Sequence, residues 1–534
     1  MSVADQITRI NTAKADIKTA IEAKGVTVPS SAKIDTYDDY IAAIPTQSDL
    51  TFNKCQYLFY KGRLLNNADQ IILSPNESGS SPSEKIMDYT GLFEGNGRVT
   101  TPSGYTQAGL GLKGWNKVTN AKIILDRCFK DVVFEGLETE AEGILALPKY
   151  DSLNQITSCD DLLNGSYCKN GTVSGRITLG PDSNSRFNLA NCTSYKRAFK
   201  NTEGLVLNPV YIDNEFDHYV FYVPQDNINL SECFYETIFK DLNSENILNI
   251  QSATENTKKI ITVDDNCEGM IRNADIDTLH FYDINFADKY DKPLSYYYFG
   301  GGADDNHYNN NISKMYFYRC KFGNALSTPV YGFFANMRSL SYLYFPSSNS
   351  FGAFNMNYMF YNCESLSYFD MSKLTDYQMA PSGLHADIEE YYNTFTGCTS
   401  MNSIDGINVS YIGGRGTNYE HMIQMFGDGS DSSNELPNLT ELYFSGSWKS
   451  QVPPGDYNEN KYADVYIDLR PLSNLEVSNP FVGNCPDNIS NVDTSRPEGQ
   501  QGYIHFILND NVSPSSSRVQ DSLLAKGIKL EYVI

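Results

Sequence analysis

Basic residues, histidine and tryptophan are all scarce in this sequence. Lysine and arginine together number 41 against 65 aspartates and glutamates, which leaves a formal net charge of −24 over 534 residues. Because nucleic-acid phosphates and anionic lipid headgroups repel such a chain, we expect neither a nucleic-acid partner nor binding to an anionic membrane surface. No stretch approaches the ~20 apolar residues of a membrane-spanning helix, so membrane insertion is not expected.

The spacing of cysteine and histidine argues against the common metal sites. No two of the eleven cysteines have the two-to-four-residue spacing of a zinc knuckle, and the six histidines form no His-x-x-x-His pair. We therefore predict no metal, no cofactor and no catalytic residue. The cysteines are Cys55, Cys128, Cys159, Cys168, Cys192, Cys233, Cys267, Cys320, Cys363, Cys398 and Cys485.

The first residues, "MSVADQITRINTAKADIK", lack the basic and apolar regions of a secretory signal. We therefore expect synthesis in a cytosol and reduced thiols, which the odd number of cysteines also favours. Tyrosine and phenylalanine are plentiful, at 38 and 28 residues. The chain can bury a large core, and its length predicts several domains or one elongated repeat array.

An amphipathic helix is predicted near the N-terminus. Its isoleucines lie three, seven and four residues apart, which places them on one helical face. "DTYDDYIAAI" predicts a second, shorter helix ended by Pro45. The pair is either a cap over a hydrophobic core or a docking segment that binds a partner or copies of itself as a dimer or trimer, and we favour docking. The stripe consists of Ile7, Ile10, Ile17 and Ile21.

The segment "INTAKADIKTAIEAKGVTVP…KIDTYDDYIAAI" resembles N-terminal segments of structural and fibre proteins of tailed bacteriophages, including crAss-like gut phages. The resemblance covers about the first 45 residues. It implies a virion protein, assembled in the host cytoplasm, that contacts other virion proteins through residues 1–45.

An internal repeat follows this segment. "GFFANMRSLSYLYF", "MFYNCESLSYFDM" and "NTFTGCTSMNSIDGI" share one frame: an aromatic anchor, then Asn or Gly two places later, then apolar residues leading into a short strand. Looser copies extend the series with gaps of 26 to 40 residues. The anchors fall at residues 93, 129, 167, 199, 239, 271, 299, 334, 360, 395 and 426.

The repeat predicts stacked units that share one core and one parallel sheet. The expected strands are "YLYF", "YFDM", "LHFYD", "MYFYRC", "ELYF" and "IHFIL". Asn, Asp or Gly two places after each anchor suits a turn that enters the unit. The positions are Asn201, Asp241, Asn273, Asn336, Asn362, Gly397 and Asp428.

The frame "MFYNCESLSYFDMSKL" resembles BspA-like leucine-rich repeats, which occur on bacterial surface proteins, adhesins and some phage proteins. The resemblance implies a mainly β, elongated leucine-rich-repeat-like solenoid with a short α-helical N-terminal anchor, used as a binding scaffold. It weakens before about residue 190, where a β-helix or an irregular β-domain is the alternative. The expected divisions are 1–45 anchor, 46–190 irregular β-rich region, 191–480 solenoid and 481–534 capping repeat with a helix and a last strand, "IKLEYVI".

Cys363 has a position in this frame that is shared by Thr202, Leu242, Ala274, Met337 and Cys398. These side chains have modest size and tolerance of burial in common, not reactivity. We therefore predict that Cys363 is a reduced core residue at the bend of a unit, near Cys398 and not bonded to it.

Two further features bear on function. Carboxylate pairs such as Asp304 with Asp305 leave glycan hydrolysis open, since a glycosidase needs two carboxyls ~5–10 Å apart, although a polar loop is the simpler interpretation. Tyrosines beside these loops suit protein or sugar contacts, unless alternate tyrosines fill the core. The predicted contact loop comprises Tyr296, Tyr297, Tyr298, Asp304, Asp305, His307 and Tyr308.

These observations predict a non-enzymatic head or tail fibre or decoration protein of a bacteriophage virion. It would dock by its N-terminal helices and display the solenoid to a host surface protein or polysaccharide. The alternatives are a tailspike-like glycan depolymerase and a bacterial BspA-like adhesin.

Overall fold

The structure is a computed structural model, and it describes part of the chain in a series of ranges. The described residues are 3–22, 27–37, 86–95, 97–100, 107–111, 122–135, 142–146, 155–170, 173–174, 176–179, 192–206, 219–223, 226, 228–239, 247–252, 261–263, 267, 269–286, 299, 311–322, 332–346, 350–351, 357–371, 392–408, 424–427, 436–445, 465–477, 492, 494–495, 497–498, 501, 503–514 and 516–532.

Helix occurs at the two ends of the chain. The predicted N-terminal helix is present as α1, Val3–Glu22, and a 3₁₀ turn, Ile34–Thr36, begins where the second helix was expected. The continuation of that second helix lies outside the described residues. A C-terminal helix, α2, spans Ser517–Ala525. None of the helices in the described ranges is long and apolar enough to cross a membrane.

The rest of the described chain is mainly β. The strands are β1 Ile86–Asp88, β2 Gly97–Thr100, β3 Gln107–Gly111, β4 Lys122–Ile124, β5 Val133–Glu135, β6 Glu142–Ala146, β7 Gln155–Ser158, β8 Tyr167–Asn170, β9 Val173–Ser174, β10 Arg176–Leu179, β11 Glu203–Val206, β12 Tyr219–Val223, β13 Ile238–Phe239, β14 Ile247–Ser252, β15 Ile261–Val263, β16 Thr278–Tyr282, β17 Ile284–Phe286, β18 Lys314–Tyr318, β19 Lys321–Phe322, β20 Tyr342–Tyr344, β21 Ser350–Phe351, β22 Tyr368–Asp370, β23 Ser403–Asn408, β24 Glu441–Ser445, β25 Val465–Asp468, β26 Ile504–Leu508 and β27 Ile528–Tyr532.

The strands stack as a parallel β-solenoid, which confirms the predicted fold class. Each strand pairs in parallel with the equivalent strand of the next unit, as β12, β14, β16, β18 and β20 do in order, and only the short pair β8–β9 is antiparallel among the described strands. The six predicted strand segments all overlap strands. The described strands form six sheets instead of the single one expected. A bend within the unit separates some of them: β16 and β17 follow each other in the chain and belong to different sheets.

A five-residue turn centred on the anchor starts each unit. The anchor's N–H donates to the carbonyl that precedes the next anchor: Phe334 to Met359 at 2.9 Å and Phe360 to Thr394 at 2.9 Å. In the described turns from Phe93 to Phe395, the residues two before and two after the anchor have positive φ, for example 56° at Tyr358 and 57° at Asn362. Asn and Asp tolerate this left-handed backbone better than other non-glycine residues, which explains the Asn-rich position of the repeat.

The hydrogen bonds between the turns of successive units show that two anchors were predicted at the wrong residue. The structure places Leu163 where Tyr167 was predicted and Phe234 where Phe239 was predicted. Tyr167 and Phe239 lie in strands β8 and β13 instead. The other anchors in the ladder stand as predicted, and the same turn recurs before residue 190: the described series is Phe93, Phe129, Leu163, Phe199, Phe234, Ile271, Phe334, Phe360, Phe395 and Phe426.

Buried aromatic rings stack along the solenoid. The ring centroids of Phe334 and Phe360 are 5.4 Å apart, with an interplanar angle of 1°. Those of Phe360 and Phe395 are also 5.4 Å apart, with an angle of 15°. One core cluster runs from Tyr89 to Ile528. Consecutive units therefore depend on each other for burial, as expected for a repeat array.

The third residue after the anchor faces this core and bonds to the preceding unit. The Cys363 Sγ donates to the Phe334 carbonyl and the Cys398 Sγ to the Phe360 carbonyl, both at 3.1 Å. Thr202 and Thr237 make the equivalent contact through their hydroxyls, so Thr237 takes the position that was assigned to Leu242. Where the residue is Cys or Thr, its side chain satisfies a buried carbonyl, whereas Ala274 and Met337 fill the same position without a hydrogen-bond donor.

The thiol prediction for Cys363 is confirmed. Cys363 and Cys398 are free and fully buried, and burial raises the pKa of the Cys363 thiol well above its ordinary value. The nine described cysteines are all buried, reduced thiols, whereas Cys55 and Cys485 lie outside the described residues.

Ion pairs join neighbouring units at the bends. Arg319 donates two hydrogen bonds of 2.7 Å to Asp283, and Arg197 donates two of 2.8 Å to Asp161. Burial by itself raises the pKa of Asp161, but the bonds from Arg197 and Asn164 outweigh it, so the net pKa is lowered. Each pair spans 36 residues of sequence and links one unit to the next.

The predicted C-terminal helix and last strand are both present. Val519 and Leu523 of α2 are buried, Leu524 is exposed, and the chain passes through Gly527 into β27, which pairs with β26. The assignment of this segment as a capping repeat stays a prediction. The expected domain boundaries at 45, 190 and 480 lie outside the described residues and stay predictions.

Candidate ligand-binding face

Three neighbouring strands turn aromatic side chains away from the core. Along β18 the alternation places Met315 and Phe317 inward and fully buried, while Tyr316 and Tyr318 face outward and are half-buried. The same alternation applies in β16 and β20. We call this set the outer aromatic face: His280, Tyr282, Tyr316, Tyr318, Tyr342 and Tyr344.

The parallel register arranges the outer aromatic face in rows that cross the strands. Because equivalent residues of adjacent strands are direct partners, side chains on one face stack in register. The rows are Lys314–Tyr342, His280–Tyr316–Tyr344 and Tyr282–Tyr318.

The rings differ in how much surface they leave open. Tyr282 and Tyr318 stack on each other with centroids 4.7 Å apart and planes at 8°. Tyr342 is inclined by 49° to Tyr316, and Tyr344 by 54° to Tyr318. Tyr342 and Tyr344 keep 45% and 38% of their surface exposed. These two tyrosines therefore offer most of the accessible ring surface.

The pKa values of two phenols of this face, those of Tyr282 and Tyr318, are raised. Burial raises the pKa of Tyr282 to about 12, and the neighbouring Tyr318 raises it further than Arg319 lowers it. Burial and the adjacent tyrosines also raise the pKa of Tyr318. The face thus combines apolar ring surface with phenol hydroxyls, which can both donate and accept hydrogen bonds.

The next unit continues this surface with one exposed tyrosine and two aspartates. Tyr368 lies eight residues after its anchor, as Tyr342 does, and is 50% exposed. Asp370 and Asp405 are direct partners on β22 and β23. Burial and these two carboxylates raise the pKa of Tyr368. The aromatic surface therefore ends at an acidic edge.

The contact loop predicted from sequence lies outside the described residues. Tyr296, Tyr297, Tyr298, Asp304, Asp305, His307 and Tyr308 all belong to the segment between β17 and β18. The tyrosines of the outer aromatic face were not singled out, because alternate tyrosines were equally compatible with a core position. The available signal was the alternation in "MYFYRC" and "YLYF", where Met, Phe and Leu supply a complete apolar face without the tyrosines.

The isoleucine stripe of α1 is only partly covered within the chain. Ile7, Ile10 and Ile17 are 53%, 58% and 39% exposed, whereas Ile21 is buried. Ile21 packs in a small cluster with Val28, Ala32 and Tyr37. The open part of the stripe therefore runs from Ile7 to Ile17.

One histidine–carboxylate pair lies at the C-terminal end. His505 Nδ1 contacts Glu531 Oε1, and the His505 ring stacks on Tyr466 with centroids 4.3 Å apart. Both rings are buried, so this pair fits a structural contact between β25, β26 and β27. In the described ranges no three His, Cys, Asp or Glu side chains come together as a possible metal site.

No protein-family model matches the sequence, and searches of curated proteins and of solved structures also found no match.

Proposed function

We propose that this chain is a structural component of a bacteriophage virion: a head or tail fibre or decoration protein that attaches to a host surface. A β-solenoid is compatible with a fibre or adhesin role, because stacked units form a rigid scaffold with repeated outward positions. The phage part of the proposal rests on the resemblance of the first 45 residues to virion proteins.

The outer aromatic face is the observation that carries the attachment role. Soluble proteins place most large aromatic side chains inside, and an exposed cluster on a regular element marks a binding surface. Here Tyr342, Tyr344 and Tyr368 are exposed on consecutive units. Their strands belong to the solenoid, so the side chains are held in place without further ordering on binding.

The open isoleucines of α1 support the docking role of the N-terminal segment. Ile7, Ile10 and Ile17 present exposed apolar surface among the described residues. Such a stripe fits a helix-in-groove or helix-bundle contact. We assign it to oligomerisation and to contact with other virion proteins.

Replacing Ile7 and Ile10 together with glutamine is expected to dissociate the oligomer of the full chain. Each buried isoleucine contributes about 2 kcal/mol, so the double change weakens association by more than about a hundredfold. Glutamine keeps a high helix propensity, and α1 should remain helical. Light scattering coupled to size-exclusion chromatography measures the mass.

The matched control is Ile238→Gln, since Ile238 is 40% exposed and lies on β13, outside α1. This variant should keep the mass of the wild type. A wild-type chain that is monomeric at high micromolar concentration would contradict self-association through α1.

Attachment itself is tested by the binding of the labelled full chain to a panel of intact bacterial cells, measured by flow cytometry. We expect saturable binding to at least one strain. The double variant Tyr342→Ala with Tyr344→Ala should weaken that binding about tenfold or more, because exposed aromatic anchors dominate contact energies. The control is Tyr532→Ala, a 41% exposed tyrosine on β27.

Binding to none of the strains, or equal loss in the double variant and the Tyr532 control, would contradict the attachment proposal. A bacterial adhesin would use the same face, so cell binding alone does not separate it from a virion fibre. The N-terminal segment separates them, because only the virion proposal requires residues 1–45 to join the chain to a particle.

A further inference from the structure

We propose that the outer aromatic face binds neutral pyranose rings of a surface polysaccharide, an inference that rests on the attachment role above and names its ligand. Three properties of the face favour this ligand: its ring geometry, its size and its charge.

The ring geometry suits sugars. A pyranose presents an apolar face of C–H groups and an edge of hydroxyls, and tyrosine matches both with an aromatic ring and a phenol. Tyr342 and Tyr344 expose their rings and are inclined by 49° to Tyr316 and by 54° to Tyr318, respectively. The inclined rings make a shallow step instead of a flat plane, so a sugar can stack on one ring and touch the next.

The outer aromatic face is too small to bind a protein partner without additional contact surface. The three strands β16, β18 and β20 span about 10 Å across the sheet, and the three rows span about 13 Å along it. This footprint is on the order of 130 Å², whereas each partner of a standard protein interface buries about 800 Å². A short stretch of polysaccharide covers the face, and a globular partner would need a large additional surface.

The charges favour a neutral ligand. The chain carries a net charge of −24, and Asp370 and Asp405 border the face on the next unit. Arg319, beside the Tyr282–Tyr318 row, is engaged by Asp283 in a two-bond ion pair. Within the three rows, the cationic side chain is that of Lys314, which is the direct partner of Tyr342. A polyanion such as a sulfated glycan would therefore meet repulsion with little compensation.

The test is isothermal titration of the full chain with neutral linear hexasaccharides: cellohexaose, laminarihexaose, maltohexaose and mannohexaose. We expect at least one to bind in the micromolar to millimolar range and heparin not to bind. Tyr342→Ala with Tyr344→Ala should weaken binding about tenfold or more, and the corresponding double change to phenylalanine should keep it within about threefold, because the ring face remains. Tyr532→Ala should have no effect.

Cell binding distinguishes failure of this inference from failure of the attachment role. If the chain binds cells through Tyr342 and Tyr344, periodate oxidation of the cell surface should abolish binding and protease treatment should not. If cell binding survives periodate treatment and is lost after protease treatment, the sugar assignment is overturned and the attachment role remains. Binding of heparin in preference to every neutral hexasaccharide, or of none of the probes, would also overturn it. Absence of cell binding would contradict attachment itself.

Discussion

Replacing Gly397 with alanine is expected to lower the free energy of unfolding by about 3 kcal/mol. Gly397 has φ of +78°, and a Cβ at this position would lie 2.2 Å from the Asn362 Oδ1 and 3.1 Å from the Asn362 Cα. The Asn362 side chain cannot simply turn away, because its amide donates a 2.9 Å hydrogen bond to the Asn336 Oδ1. Backbone strain, a steric contact and a broken link between units therefore add together.

The matched control is Gly269→Ala. Gly269 also has positive φ, +59°, but the nearest atom to a Cβ there is 3.7 Å away. Only backbone strain remains, so the expected loss is about 1 kcal/mol. Urea unfolding followed by circular dichroism measures both variants. An equal loss of unfolding free energy in the two variants would show that the close approach to Asn362 does not contribute to the destabilisation.

Replacing Phe360 with alanine is expected to cost about 4 kcal/mol, the largest effect of a single side chain that we predict. Phe360 is fully buried, stacks on Phe334 and Phe395 in the two adjacent units, and contacts Phe369 with ring centroids 4.5 Å apart. The cavity would therefore remove packing from three units at once. Because solenoid stability is a sum of unit and interface terms, the loss should fall on both interfaces of this unit.

Phe360→Leu is the control for this change. Leucine fills much of the same volume, so we expect a loss of about 1.5 kcal/mol without loss of the neighbouring turns. Amide hydrogen exchange should show reduced protection at the N–H of Phe334 and of Phe395 in the alanine variant only. Unchanged protection on one side would mean that the ring stack does not couple the units.

The burial and the backbone conformation of single positions of the repeat could be predicted well. Cys363 was expected to be a buried, reduced residue because its aligned positions held small side chains, and the structure places it there with its thiol on the Phe334 carbonyl. The Asn-rich position two residues after the anchor was expected to be a turn, and Asn362 has the required positive φ. These properties depend on short-range backbone chemistry, which a few adjacent residues determine.

Anchors in degenerate units could not be placed from local pattern. "TIFKDL" imitates the frame, but Phe239 lies in a strand and Phe234 holds the turn, where it stacks on Phe199 with centroids 5.2 Å apart. The deciding factor is the hydrogen-bond ladder to the adjacent units, which local sequence does not contain. The same limit applies to the ion pair of Arg319 with Asp283, whose partners are 36 residues apart.

The direction of the tyrosines also required the tertiary structure. An alternating strand such as "MYFYR" has two faces, and either could line the core by size alone. The structure buries Met315 and Phe317, which have no polar group to satisfy between closely stacked units, and turns Tyr316 and Tyr318 outward, where the phenols can reach water. The predicted loop at 296–308 stays a prediction.

The sequence by itself therefore determined the repeat, the β-solenoid class, the strand segments, the turn chemistry and the N-terminal helix. All of these follow from periodicity and local propensity. Only the tertiary structure decided where each degenerate unit begins, which residues pair across units and which strand face carries the tyrosines. The physical reason is that these properties depend on the register between stacked units, and that register is set by contacts between residues one full unit apart in the chain.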